Sequence, residues 1–222
     1  MFESHCCPAV QLLVGPDERR HRQLVIKSGT AQQVKAHTKG MLMDELQIPD
    51  ECVLLVIDIQ EKLLAVMHDK EKVLGNAVKL VKFANIIGMP VLLTEQEKLG
   101  PTVDAVRSEL PTAVAITKIE FDACKRAELV ENLQRLSRNT IILAGIESHI
   151  CVTQTALHLL AEGHRVHVVS DAVSSRAPED RTIALDRMRQ AGAVISSTEM
   201  IIYELLGKAG TDEFREVLKL VK

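Results

Sequence analysis

Thr140-Ile141-Ile142-Leu143-Ala144-Gly145, followed by Ile146-Glu147-Ser148-His149-Ile150 and Cys151-Val152-Thr153-Gln154-Thr155-Ala156-Leu157, reads as a buried strand handed over to a helix. The first run is short, apolar and β-rich, and the last is helical in pattern. Cys151 falls where the two meet. The first amides of a helix lack intrahelical acceptors and carry partial positive charge, so a sulfur among them is favoured as the thiolate, the form that attacks carbonyls. The competing reading is a buried cysteine acting as a small hydrophobe.

The same alternation extends in both directions. From Cys52 onward, short apolar runs alternate with longer helical patterns, the mark of βαβ units around a parallel sheet. Six strands are expected: Cys52 to Ile57, Pro90 to Thr94, Ala113 to Thr117, Thr140 to Ala144, Arg165 to Ser170 and Ala193 to Ser196. Helices fill the gaps. Val73, Ala77, Leu80, Val81, Ala84 and Ile87 share one face before Gly88, and Leu129, Leu133 and Leu136 share another. Pro178 opens a helix ending near Gly192, and Thr211-Asp212-Glu213 starts an amphipathic terminal one. The result is a three-layer α/β domain over residues 51–222. Residues 1–50 do not share the pattern and stand as an extension, with Met41 and Met43 as alternative starts.

Composition narrows the function classes. The 222 residues hold 27 Lys plus Arg against 30 Asp plus Glu, a net charge of -3, so the chain lacks the basic field that phosphate-backbone binding requires. Aromatics are 2% with no Trp, which removes stacking platforms for single strands. Nucleic acid is not an expected partner. No apolar run approaches a membrane span, and the five cysteines are odd in number with Cys6 and Cys7 adjacent, which points to a soluble protein of a reducing, cytoplasmic compartment.

In doubly wound sheets ligands bind beyond the carboxyl ends of the strands, where strand order reverses. Those ends carry Asp58, the run Thr94-Glu95-Gln96, Lys118 and the segment Gly145 to Cys151. Asp58 follows Val53-Leu54-Leu55-Val56-Ile57, so its carboxylate is expected to be desolvated and to accept a proton; the other reading is a helix cap. Lys118 beside Asp58 and Cys151 favours both a thiolate and a developing oxyanion. Glu95, Gln96, Glu120 and Phe121, together with Gln60, are the expected pocket walls. No G-x-G-x-x-G follows the first strand, so a dinucleotide cofactor is not expected.

The combination Leu54-Leu55-Val56-Ile57-Asp58-Ile59-Gln60, Thr94-Glu95-Gln96, Thr117-Lys118-Ile119-Glu120-Phe121 and Gly145-Ile146-Glu147-Ser148-His149-Ile150-Cys151-Val152 resembles the isochorismatase-like cysteine hydrolases. Asp171-Ala172-Val173-Ser174-Ser175-Arg176 adds to the match, which is closest to the isochorismatase domain-containing branch. The resemblance implies a Rossmann-like sheet of order 3-2-1-4-5-6 and a catalytic triad of Asp58, Lys118 and Cys151. It also implies a non-proline cis peptide between Ile146 and Glu147 and an oxyanion hole from the amides of Glu147 and Cys151. A homo-oligomer is expected from the resemblance and the apolar C-terminal helices.

Two contrasts within the family bear on the substrate. True isochorismatases lack a cysteine at the nucleophile position, so Cys151 points to an amide or ureido carbonyl. Nicotinamidases carry an Asp and His metal site, and Glu95 to Pro101 holds neither residue, so no metal or other cofactor is implied. The expected function is a metal-free cysteine hydrolase cleaving a small C–N bond through a thioester. A noncatalytic binding or scaffold protein retaining the fold stays open beside it, as does a redox sensor pairing Cys124 with Cys151. His149, His158, His164 and His167 show no metal-ligand spacing.

Overall fold

The computed structural model describes residues 49–221. The leading segment, with Cys6, Cys7 and the alternative starts, lies outside them, apart from residues 49 and 50.

Strand β1 (Cys52–Ile57) is apolar and buried at all six positions, as a strand covered on both faces must be. It is joined through helix α1 (Lys70–Ile87) to β2 (Val91–Gln96), and a segment containing one helical turn leads on to β3 (Ile116–Lys118). Helix α2 (Ala127–Leu136) leads to β4 (Thr140–Ile146), α3 (Thr153–Ala161) to β5 (Arg165–Ser174), and α4 (Pro178–Gln190) to β6 (Val194–Ser196). Helices α5 (Thr198–Leu206) and α6 (Asp212–Val221) follow. All pairings are parallel and the strand order is 3-2-1-4-5-6, as expected.

The alternation of side chains along β1 divides the core in two. Cys52, Leu54 and Val56 pack on one face with α1 residues Ala77, Leu80 and Phe83 and with Ile201, Ile202 and Val217 of the last helices. Val53, Leu55 and Ile57 pack on the other with Leu129 and Leu133 of α2, Ala156 and Leu159 of α3, and Leu185 and Met188 of α4. The sheet is thereby covered on both sides, and strand order reverses between β1 and β4.

Four strands run differently from the sequence reading by two residues or more, β4 among them, which continues past Ala144 to Ile146. β2 continues two residues beyond Thr94, where Glu95 pairs with Thr117 and Gln96 with Lys118 of β3. β3 begins only at Ile116, because residues 111 and 112 form a turn and residues 113–115 that follow it carry no regular structure. β5 runs on to Ser174 after a register shift opposite Leu143 and Gly145.

Gly145 is the tightest point. It lies beside Ile57 in the ladder at φ +128°, and a Cβ there would meet the Ile57 carbonyl oxygen at 2.0 Å. Gly145→Ala is expected to destabilise the fold by more than about 4 kcal/mol, the range of severe core changes. Gly163→Ala, also at positive φ but with nothing within 4 Å, is expected to cost only about 1 to 2 kcal/mol. Urea denaturation of both variants checks this; equal losses would show that the approach to Ile57 imposes no constraint.

Candidate active site

Asp58 is the first residue past β1 and takes a left-handed φ of 50°, a conformation that aspartate tolerates better than most residues. Its amide donates to the Thr94 carbonyl at 3.2 Å. The carboxylate is wholly buried. Thr94 Oγ1 donates to Asp58 Oδ1 at 2.7 Å, and Lys118 Nζ donates to Oδ2 at 2.6 Å. Thr94 was visible at a strand end in the sequence, but only the β1–β2 register shows what its hydroxyl does.

Lys118 ends β3 and its side chain is fully buried. Besides Asp58 it donates to Gln96 Oε1 at 2.8 Å and to the Glu120 carbonyl at 3.2 Å, and it lies 3.7 Å from Cys151 Sγ. Every ammonium proton thus has an acceptor nearby, which is what a lysine needs to remain charged away from water. The three residues drawn from distant parts of the sequence meet at the point where strand order reverses.

Cys151 lies not in α3 itself but in a π-helical turn, Ser148–Val152, that precedes it. The Ile146–Glu147 peptide bond is cis. The thiol differs from the sequence expectation. Burial, then the charge of Asp58, push it from 9.0 up to about 12, with Lys118 opposing. Helix amides do not prevail over desolvation and a neighbouring carboxylate. The resting arrangement is a neutral thiol beside an Asp58–Lys118 ion pair.

A small cleft of about 60 Å³ opens on Cys151, walled by Leu63, Gln96, Leu99, Phe121, Glu147 and Ile150. Phe121 is half exposed, as befits a wall. Gln96 lines the cleft, but its amide is committed to Lys118 and to the Ile119 carbonyl.

The other expected walls are placed elsewhere. Gln60 is fully buried, its amide exchanging hydrogen bonds with the backbone of Gln96 and donating to the Gly100 carbonyl. It positions Gln96 rather than lining the cleft. Glu95 alternates to the opposite face of β2, where its carboxylate accepts from Thr102 N and Oγ1 at 2.8 and 2.7 Å. Glu120 offers its carbonyl to Lys118, while its carboxylate accepts from Ile119 N at 3.2 Å.

Glu147, expected only for its amide, also uses its side chain. The buried carboxylate accepts from Arg176 N and Nε at 3.2 and 3.1 Å, joining the segment before Cys151 to the residues just past β5. Leu63, Leu99 and Ile150 are walls that no sequence pattern announces, being apolar residues among many. His149 turns to Ser175 Oγ at 2.9 Å and is not among the cleft's walls. No helix among the described residues is long and apolar enough to cross a membrane.

Comparison with known proteins agrees with this architecture. The isochorismatase domain model matches residues 52–200. The secreted isochorismatase effector Isc1 of Phytophthora sojae is 39% identical over 183 residues, covering 79% of this chain and 86% of that one. A Caenorhabditis elegans structure described as MAR1 ribonuclease is 35% identical with a TM-score of 0.75, covering 79% of this chain and 91% of its own. The YcaC product of Escherichia coli, described as an octameric hydrolase of unknown specificity, is 25% identical with a TM-score of 0.74, covering 78% and 89%. The matched residues run from β1 through β6 and so include both halves of the sheet, and the chain belongs to the isochorismatase family.

Proposed function

We propose that this protein is a cysteine hydrolase that cleaves the C–N bond of a small amide or ureido compound through a thioester on Cys151. The observation that carries this reading is the contact of one buried ammonium with both partners, 2.6 Å from Asp58 Oδ2 and 3.7 Å from Cys151 Sγ, behind the cleft on which Cys151 opens.

Asp58 takes the thiol proton as sulfur attacks the carbonyl carbon, and the carbonyl π electrons pass to oxygen. Lys118 and the amides of Glu147 and Cys151 stabilise that oxyanion. Collapse breaks the C–N bond, and Asp58 returns its proton to the leaving amine. Water, deprotonated by Asp58, then attacks the thioester; the C–S bond breaks, the acid departs and the thiol is restored. A neutral resting thiol fits this sequence, because its proton leaves only as the bond to carbon forms. The cleft is narrow and largely apolar in its walls, which suits a compact substrate reaching the sulfur end-on.

The net charge of -3 and the single narrow cleft at the nucleophile favour a small molecule over nucleic acid as substrate. Exposed Ile119 and Phe121 beside the cleft, and the octameric state of the YcaC product, favour a homo-oligomer. Thiol chemistry of this kind suits a reducing, cytoplasmic setting.

A panel of small amides and ureido compounds assayed for ammonia release tests the reaction. Cys151→Ala is expected to abolish release while unfolding at the same urea concentration as the parent within about 1 kcal/mol. Lys118→Met is expected to lose both turnover and about 3 to 5 kcal/mol of stability, because Asp58 is left buried without its cation. Undiminished release by the Cys151→Ala protein overturns the assignment.

A further inference from the structure

A second cluster of reactive side chains lies outside the cleft. The loop after β3 carries Asp122 and Cys124, and α3 carries His158. Asp122 Oδ1 accepts from Cys124 N at 3.0 Å, which folds the turn Ala123–Lys125, and Asp122 Oδ2 lies 2.7 Å from His158 Nδ1. Ala123 N donates to Thr155 Oγ1 at 3.0 Å, so the loop is already docked on α3 by its backbone. One ligand atom each from Asp122, Cys124 and His158 lie within 4.8 Å of one another. Cys124 and His158 also line a cavity of about 500 Å³ that shares no wall with the nucleophile cleft and has Glu162 on its rim.

We propose that Asp122, Cys124 and His158 form a binding site for a borderline-soft divalent cation of the zinc type. Thiolate, imidazole and carboxylate together are the donor set of such ions, whereas magnesium and calcium prefer oxygen throughout. Ligands at 2.0 to 2.3 Å from a tetrahedral ion stand about 3.3 to 3.8 Å apart, so on loading the widest separation closes by up to about 1 Å, while Asp122 and His158 exchange their direct 2.7 Å contact for bonds to the ion. The cavity gives the ion a way in, and water or Glu162 supplies the fourth position.

The Asp122 carboxylate, already beside the imidazole and the thiol, supplies negative charge that a divalent cation would neutralise. Loading transfers the thiol proton to solvent and forms the metal–sulfur bond, with no change of oxidation state. The bound ion ties the loop that begins at Lys118 to the helix that begins two residues after Cys151. No local sequence motif announces the site, because His158 lies 34 residues from Cys124.

The test is a titration of the chelator-stripped full-length protein with Co²⁺, followed by absorbance. One Co²⁺ per chain is expected, with a thiolate-to-cobalt charge-transfer band in the near ultraviolet. Cys124→Ser is expected to abolish the band, and His158→Gln to weaken binding at least about tenfold. Cys151→Ser and the Cys6→Ser/Cys7→Ser double variant are expected to keep it. No band in the parent protein, or a band that survives Cys124→Ser, overturns the proposal. If circular dichroism shows that Cys124→Ser does not fold, His158→Gln decides, since its side chain is one-third exposed and unchanged affinity there refutes the site.

Discussion

A buried ion pair sets the terms for everything else in this molecule. Lys118 and Asp58 stand 2.6 Å apart with both side chains shielded from water, and desolvating two such charges costs several kcal/mol per ion before their attraction repays it. Repayment depends on the surrounding acceptors and donors. Thr94 supplies a hydroxyl to the carboxylate, while Gln96 and the Glu120 carbonyl take the remaining ammonium protons. Gln60, buried behind them, fixes Gln96 by bonding its backbone on both sides. A polar network of this kind is stabilising only when complete, so each of these residues answers for the others.

The sheet makes the network possible. Asp58 and Cys151 follow neighbouring central strands, and Lys118 ends the edge strand two places away, so a long side chain is needed to reach across β2. Lysine has that reach. The close passage of Gly145 against Ile57 holds β1 and β4 together where their ends must present acid and thiol.

Much of this was legible in the sequence. β1 and its flanking helix α1 were written in uninterrupted apolar residues and a single helical face, and the three strand-end groups could be named because parallel sheets present their carboxyl ends to ligands. What failed depended on register or on competing fields. Two further residues of β2 pairing with β3 decide that Gln96 faces Lys118 and Glu95 faces Thr102, and no local pattern announces where an edge strand stops. Gln60 reads as a wall because it ends the motif that carries Asp58; only the tertiary structure shows its amide occupied. The state of Cys151 turns on a different matter: the helix amides and the neighbouring Asp58 are both visible in sequence, but the burial that, with the Asp58 charge, outweighs those amides is not. Asp122, Cys124 and His158 come together only through the docking of a loop on α3.

The central claim is that Cys151 rests as a neutral thiol, raised first by its burial and then by the charge of Asp58, the carboxylate proposed above to take its proton. The direct test is the rate of Cys151 alkylation by iodoacetamide against pH, read by peptide mass in the parent and in Asp58→Asn. Removing the carboxylate removes an influence that raises the thiol, so the account predicts a parent midpoint well above the ~8.5 of a free thiol and a lower midpoint in the variant. Turnover in the variant should nonetheless fall by about 10² to 10⁴. A parent midpoint below 8.5, or one that Asp58→Asn leaves in place, would contradict it.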